Sequence, residues 1–470
     1  MFNIMTQQRV LFVSPEVYPF AKFTSMSELC AGLPKFIKEY GHEIRVVMPK
    51  YKFINDSKYV LRDVIRLKEV PVEINGEKHV ACVKSSFVPD SKIQIYFVEI
   101  DGFYKYDSFE DEDGNFRPGI LKELAFFSKA CLELLKILHW TPEVIHSNDW
   151  QSALVHYYLK NEYKDDEFFQ GAKRVFSLHN LDQVGEFNDD DFAEAGLDSS
   201  QFDRNHLLRF LLEDTQVLTL NNEESLMEYE ENDYFSDFVE KKRLEIIPHG
   251  YDDLVWNPQA KKMKQVYNYE TIDQKDINKK YLTHKKDLDL IENAPVITIH
   301  VDRDYEYMEE LESWLERQEE KDVFILMTSL ERDVNKVMEE KDIFGDNFIY
   351  LKSATNDELK NYIAASEFYI NLCNRGYYNQ RFGISVPFGT IPCGQRGIVM
   401  DQFVSIEEDE ENFNSVLVDN IRDDFDALID KTISIYKSMN MIEIQKRIIS
   451  MLISWNPSGM RVGKIYDSLD

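Results

Sequence analysis

Short apolar runs alternate with stretches of helical period along most of this chain, and the alternation starts at once. VLFVSPEVYPFAK (10–22) opens with a β-rich apolar run that breaks at Pro15. SELCAGLPKFIKEYG (27–41) follows, with Leu29, Leu33, Phe36 and Ile37 at helical spacing and Gly41 as a natural stop. IRVVMP (44–49) then reads as a buried strand, so strand, helix and strand make a parallel βαβ unit. The same pattern predicts strands at 79–84, 93–99, 143–146, 174–178 and 244–247, and helices at 119–138 and 151–161. The run DGFYKYDSFEDEDGNFRPG (101–119) is too long for a mere connector, and loops of this kind often line functional clefts.

A second alternation fills the other half: strand 295–301, helix 306–318, strands 323–328 and 347–351, helix 356–365 and strand 367–372. The polar, lysine-rich stretch 258–280 marks the interdomain passage, and SWNPSGMRVGKIYDSLD (454–470) reads as a final helix. The expected fold is α/β, with Rossmann-like domains over 1–258 and 275–450 and a closing helix over 451–470. EEDEEN (407–412) reads as a solvated loop.

At 470 residues the chain exceeds one ordinary core, and a hydrophobic content of 43% with 31 Phe and 25 Tyr suffices for two. The net charge of −31 argues against nucleic acid or an anionic membrane as partner, because both are polyanions. It suits a neutral ligand such as a polysaccharide, and equally an acidic surface that only confers solubility. The cysteines (Cys30, Cys82, Cys131, Cys373, Cys393) are odd in number and include no C-x-x-C, so neither a zinc site nor a disulfide framework is expected. P-loop, G-x-G-x-x-G, H-E-x-x-H, G-x-S-x-G and calcium-loop spacings are all missing from the sequence. FNDDDF (187–192) lacks the Gly and distal Glu of a calcium loop and reads as a solvated turn. No metal or cofactor is expected. MFNIMTQQRVLFVS is unlike a signal peptide and no apolar run reaches the length of a membrane span, so the expected compartment is the cytosol.

Several longer segments follow one another in a telling order: VLFVSPEVYPFAK, GHEIRVVMPKY, ELAFFSKACLELL, VIHSNDWQSALVHYYLK, FSLHNLDQVGEF and IIPHGYDDLVWNP. With SEFYINLCNRGYYNQRFGISVPFGT (366–390) and the Ser454-Trp455…Tyr466 ending, they make the chain resemble bacterial glycogen synthases and plant starch synthases over essentially its whole length. The resemblance implies a GT-B type glycosyltransferase fold, in which two Rossmann-like domains face a deep cleft. In that family the nucleotide-sugar donor lies mostly on the C-terminal domain, the glucan on the N-terminal one, and the last helix crosses back to the first domain. The implied reaction moves glucose from ADP-glucose to an α-1,4-glucan, with retention and without a metal. The rule that ligands bind beyond the carboxyl ends of parallel strands points to the same cleft.

Such a reaction builds charge on a departing diphosphate, so without a metal it needs fixed cations and amide dipoles there. Lys22 aligns with the Lys of the family's K-x-G-G loop, whose glycines are Thr24 and Ser25 here. Their backbone N–H groups, just before a helix, are expected to be available to an anion, although each added Cβ crowds the approach. Arg303 matches the family arginine of R-x-x-x-x-K, while the lysine position is Met308. The G-T-G turn becomes Thr328-Ser329-Leu330, and R-T-G-G-L shrinks to QRGIV with Gly397 left. In the segment similar to E-P-C-G, the Glu position is Gly376, the Cys position Tyr378 and the Gly position Asn379, with Phe388-Gly389-Thr390 fixing the register. Pro387 falls where the family continues a helix.

The N-terminal motifs are better kept. His179-Asn180 matches the family's H-N-L, whose His borders the donor glucose, and Asn148-Asp149-Trp150 matches a segment beside the same cleft. On the residues alone, Asp149 reads as a helix cap and Trp150 as core. Catalytic candidates are therefore His179, Asp149 and Arg303; donor-side candidates are Lys22, Thr24, Ser25, Arg303 and Gly397; glucan-side candidates are Asn148, Trp150 and Asn180. Two main readings stay open. One is a degenerate copy that keeps an α-glucan (glycogen or malto-oligosaccharide) and acts in binding or regulation, with a protein partner; the other is an active transferase with a remodelled donor site. A third, an interaction protein without ligands, conflicts with the retained His179 and Asp149.

Overall fold

The computed structural model describes the chain outside residues 1–6, 25, 107, 110–115, 180–184, 203–206, 208–214, 222–242, 248–249, 254, 261, 286–293, 302–307, 319–320, 330–333, 337, 339–346, 373–380, 397–402, 452–454 and 470. The chain divides into two compact units, Met1–His249 with Trp455–Asp470, and Gly250–Ser454. The polar stretch 258–280 thus opens the second unit, and it already contains the start of a helix, Lys275–Lys285.

In the first unit, β1 (Arg9–Val13) lies between β2 (Glu43–Pro49) and β7 (Val144–Asn148), all parallel. β6 (Gln94–Ile100) continues one side in parallel, and β3 (Arg62–Asp63), β4 (Val70–Ile74) and β5 (Glu77–Phe87) add an antiparallel edge. The other side is extended by β8 (Lys173–Ser177), β9 (Val217–Leu220) and β10 (Arg243–Ile246), giving the order β10-β9-β8-β7-β1-β2-β6-β5-β3 with β4 on β5. Apolar runs such as Val10–Val13 are buried completely, as strands covered on both faces require. Strand order reverses between β1 and β7, which places the crevice of this unit beyond their carboxyl ends.

Helix α1 (Met26–Tyr40) buries Leu29, Leu33 and Ile37 on the sheet side. The closing helix (Trp455–Asp467) packs on it through Gly459 and Gly463. A Cβ at Gly459 would run into Phe36 and one at Gly463 into Tyr40, so only glycine allows this approach. Tyr40 Oη donates to Asp467 at 2.8 Å and holds the last turn.

The second unit is built on six parallel strands: β11 (Val296–Val301), β12 (Phe324–Ser329), β13 (Phe348–Lys352), β14 (Phe368–Leu372), β15 (Ile391–Gln395) and β16 (Val416–Val418). Their order is β13-β12-β11-β14-β15-β16, again with a reversal at the first strand. Pro387 sits in a 3-10 helix, Phe382–Phe388, where a missing N–H costs less than in an α-helix.

The pattern missed several elements, among them β9, β15, β16 and the helices Ile421–Ser438 and Met441–Ile449. The predicted helix 151–161 is a 3-10 turn, Trp150–Ser152, followed by α-helix Leu154–Asn161. FNDDDF is not a solvated turn but a helix start. Asn188 accepts the N–H groups of Asp190 and Asp191 while Asp191 reaches back to the Asn188 N–H, and the acids of the first turn suit the helix dipole. Among the described residues no helix is long and apolar enough to cross a membrane.

Candidate functional site

β1 and β7 end side by side, with Val13 opposite Ser147. Asn148 ties the two ends together, because its Nδ2 donates to the Val13 carbonyl at 3.0 Å. Asp149 follows with φ 54° and ψ 172°, a backbone that non-glycine residues rarely adopt and that neighbours must hold. Its N–H donates to the Ser177 carbonyl at 2.9 Å, and its Oδ1 accepts the His179 N–H at 2.6 Å. The expectation that Asp149 caps the following helix is corrected here. Its side chain makes no capping bond, since the left-handed turn commits the carboxylate to the segment after β8.

That segment carries His179. Its Nε2 lies 3.2 Å from Asn148 Oδ1 and its Nδ1 3.1 Å from Asn221 Oδ1, while Asn221 Nδ2 donates to the His179 carbonyl at 3.1 Å. Burial lowers the His179 pKa to about 4, against the pull of the Asn221 hydrogen bond. At neutral pH the ring is uncharged, so it offers a hydrogen bond and not a cation. Asn221 is the partner that sequence reasoning missed; it stands directly after the unpredicted strand β9.

Behind His179 a polar ladder crosses the sheet. His146 Nε2 lies 2.6 Å from Ser177 Oγ, which lies 2.6 Å from Thr219 Oγ1, and His146 Nδ1 lies 2.5 Å from the hydroxyl of Tyr466 on the closing helix. His156 Nε2 meets Ser147 Oγ at 2.9 Å. Trp150 is only 1% exposed and packs on Phe109, Phe116 and Phe187. Asn148 is buried too, so these two of the three glucan-side candidates support the site and are not displayed on its surface.

The Lys22 loop is spent on its own chain. Glu16, fully buried, accepts the Phe23 N–H at 2.5 Å and the Thr24 N–H at 2.9 Å, together with the Thr24 hydroxyl. Burial pushes the Glu16 carboxyl up to about 7, against these bonds and with Asp149 adding to the rise. The Lys22 ammonium lies 3.7 Å from the Glu28 carboxylate. The Thr24 amide expected to face a ligand anion therefore already faces the Glu16 carboxyl.

Arg303, Ser25, Asn180, Gly376, Tyr378, Asn379 and Gly397 lie outside the described residues. Met308 opens the helix Met308–Glu316. Thr328 and Ser329 end β12 and are buried. Near the end of β11, His300 Nε2 meets the guanidinium of Arg381 at 2.7 Å, both almost fully buried. Sequence reasoning passed over Arg381, whose one signal is a charge at the head of the apolar run FGISVPF.

The buried groups set a pH response. The folded His146, His156 and His179 have pKa values of about 3, 3 and 4, depressed by burial from 6.5, so the unfolded chain takes up protons that the native one refuses. Glu16 opposes them, because it is protonated below about 7 when folded but only below 4.5 when unfolded. Between 4.5 and 6.5 the unfolded state holds about two protons more than the native state, three on the histidines less one on Glu16, so stability falls as pH falls, by at most about 3 kcal/mol per pH unit. The urea midpoint of the intact chain, followed by tryptophan fluorescence, is expected to be lower near pH 5 than near pH 7.5. An unchanged or higher midpoint would contradict neutral burial of the three rings.

Two doubly wound sheets, the first parallel but for its β3–β5 edge and the second wholly parallel, are the architecture of a GT-B type glycosyltransferase fold. The catalytic domain of starch synthase IV from Arabidopsis thaliana, solved with ADP and acarbose, superposes with a TM-score of 0.84 over 98% of this chain and 99% of that one, at 18% identity. The sequence profile of the starch synthase catalytic domain matches residues 9–219, all within the first unit. The glycogen synthase of Pelodictyon phaeoclathratiforme is 32% identical over 337 residues, covering 68% of this chain and 69% of that protein. The glycogen synthase of Chlorobium phaeobacteroides is 32% identical over 307 residues, where the match spans 62% of this chain and 63% of the relative, less than two thirds of its length. The chain belongs to the glycogen/starch synthase family.

Proposed function

We propose that this protein is a degenerate member of its family, one that keeps an α-glucan-binding first unit and transfers glucose from ADP-glucose weakly or not at all. The observation that carries this reading is the state of the Lys22 loop. Its cation is drawn to Glu28, and its Phe23 and Thr24 amides are drawn to Glu16, which leaves little positive potential for a diphosphate. The sequence of the donor-side motifs agrees, since Gly376 and Met308 replace a carboxylate and a cation. The Asn148–His179–Asn221 cluster, by contrast, is uncharged, its ring donating to one of the two facing amide oxygens, and neutral polar edges suit sugar hydroxyls. The role would then be binding or regulation at a glucan, in the cytosol.

Electrophoresis through gels containing glycogen tests the glucan side. The protein is expected to be retarded relative to a glycogen-free gel, alongside an active glycogen synthase as positive control. Unretarded migration while the control is held back would remove the glucan from the reading.

A further inference from the structure

We propose that Phe53, with Tyr106 on the adjoining loop, forms a stacking platform for a glucopyranose ring of a neutral α-glucan; this rests on the glucan-binding reading above. Phe53 stands at the crown of a turn after β2, which the Ile54 N–H closes on the Tyr51 carbonyl at 3.0 Å. The turn is pinned from two further sides. Lys50 Nζ donates to the Ile54 carbonyl at 2.8 Å, and the Lys52 N–H donates to the Tyr104 carbonyl at 2.9 Å. The Tyr51 ring, buried and anchored by its hydroxyl on the Pro15 carbonyl at 2.8 Å, lies parallel to Phe53 at 5.5 Å and 3°. Phe53 nevertheless remains 45% exposed.

Tyr106, two residues beyond the Tyr104 contact, is 50% exposed. The Arg117 guanidinium sits 4.4 Å from its ring centre, while Arg117 Nε donates to the Ser108 carbonyl at 3.1 Å. Two aromatic rings are thus displayed from adjoining loops after β2 and β6, at the carboxyl end of the sheet and to one side of the β1–β7 crevice. A ring held this firmly loses little freedom when a ligand covers it. An aromatic face carries negative charge density and is apolar, which matches the C–H face of a pyranose. Two rings are too small an area for a stable protein interface, and a chain of net charge −31 disfavours anionic ligands or membranes.

Titration calorimetry with maltoheptaose, run on the full chain, tests the platform. Phe53→Ala and Tyr106→Ala are each expected to weaken binding about tenfold, the scale of one aromatic contact. Phe53→Trp should retain affinity, and Phe87→Ala, at a still more exposed ring on β5, should leave it unchanged. Wild-type affinity in both alanine variants would overturn the platform and leave glucan binding standing. Equal losses in Phe87→Ala would also overturn it, by showing a general surface effect. No binding by the unmodified protein would remove the glucan reading and this inference with it. Circular dichroism of each variant checks that the fold is retained, and the Phe53→Trp result keeps the inference open to refutation if an alanine variant misfolds.

Discussion

Incubated with ADP-glucose and a malto-oligosaccharide, the protein is expected to lengthen the oligosaccharide at least about a thousandfold more slowly than a glycogen synthase with intact motifs. The resemblance sets Gly376 against a family carboxylate beside the donor sugar and Met308 against a cation on the leaving phosphate, and the proposed reading takes both as lost. The Lys22 loop adds a structural reason, because Glu16 and Glu28 already engage the groups that the proposed reading assigns to a diphosphate. These losses act on one transition state, so their effects need not add. Gly376→Glu alone is expected to restore nothing measurable, since the phosphate contacts would remain incomplete. The assay follows both ADP release and the ladder of lengthened products. Robust donor-dependent lengthening by the unmodified protein would replace the degenerate reading with that of an active transferase.

Glu367→Gln is expected to destabilise the second unit by about 3–5 kcal/mol, the cost of leaving a buried ammonium without its partner. Glu367, nearly buried, faces Lys279 Nζ at 3.0 Å and also accepts the Val296 N–H at 2.7 Å where β11 begins. Burial pulls the Lys279 ammonium toward neutrality, but Glu367 and Tyr436 more than offset it, and its pKa ends above the ordinary lysine value. Lys275, one helical turn away, is fully buried and lowered to about 7 by desolvation, against the attraction of Glu367. Removing the Glu367 charge therefore strips support from two lysines at once. Urea unfolding followed through the buried Trp256 and Trp314 of this unit measures the loss. The paired change Lys279→Met with Glu367→Leu should recover much of it, because no charge is then stranded. A midpoint for Glu367→Gln within error of the wild type would show that the pair contributes no stability.

Much of the architecture was legible because it depends on local periodicity. The run at Val10–Val13, the helical spacing of Leu29, Leu33 and Ile37 and the second alternation from 295 onward each state their element within a dozen residues. Strands β9, β15 and β16 escaped because they are three to five residues long and their neighbours, not their own pattern, make them strands. The family was legible in ordered motifs such as HSNDW and SLHNL. The same resemblance is what sets Gly376 and Met308 against a family carboxylate and cation, and the proposed loss of activity rests on that match.

What these motif residues do was decided by tertiary structure alone. Asp149 looked like a helix cap, yet its left-handed backbone gives the carboxylate to His179, thirty residues on. The Lys22 loop looked open to an anion, yet Glu16 reaches it within a buried turn that no spacing rule describes. Tyr466 was visible as a motif residue, but its contact with His146 spans 320 positions. Side-chain hydrogen bonds of this kind follow from which strand ends meet, and strand order is a property of the whole folded sheet. The sequence determined the longer elements and the family; only the packed sheets decided which polar groups satisfy one another.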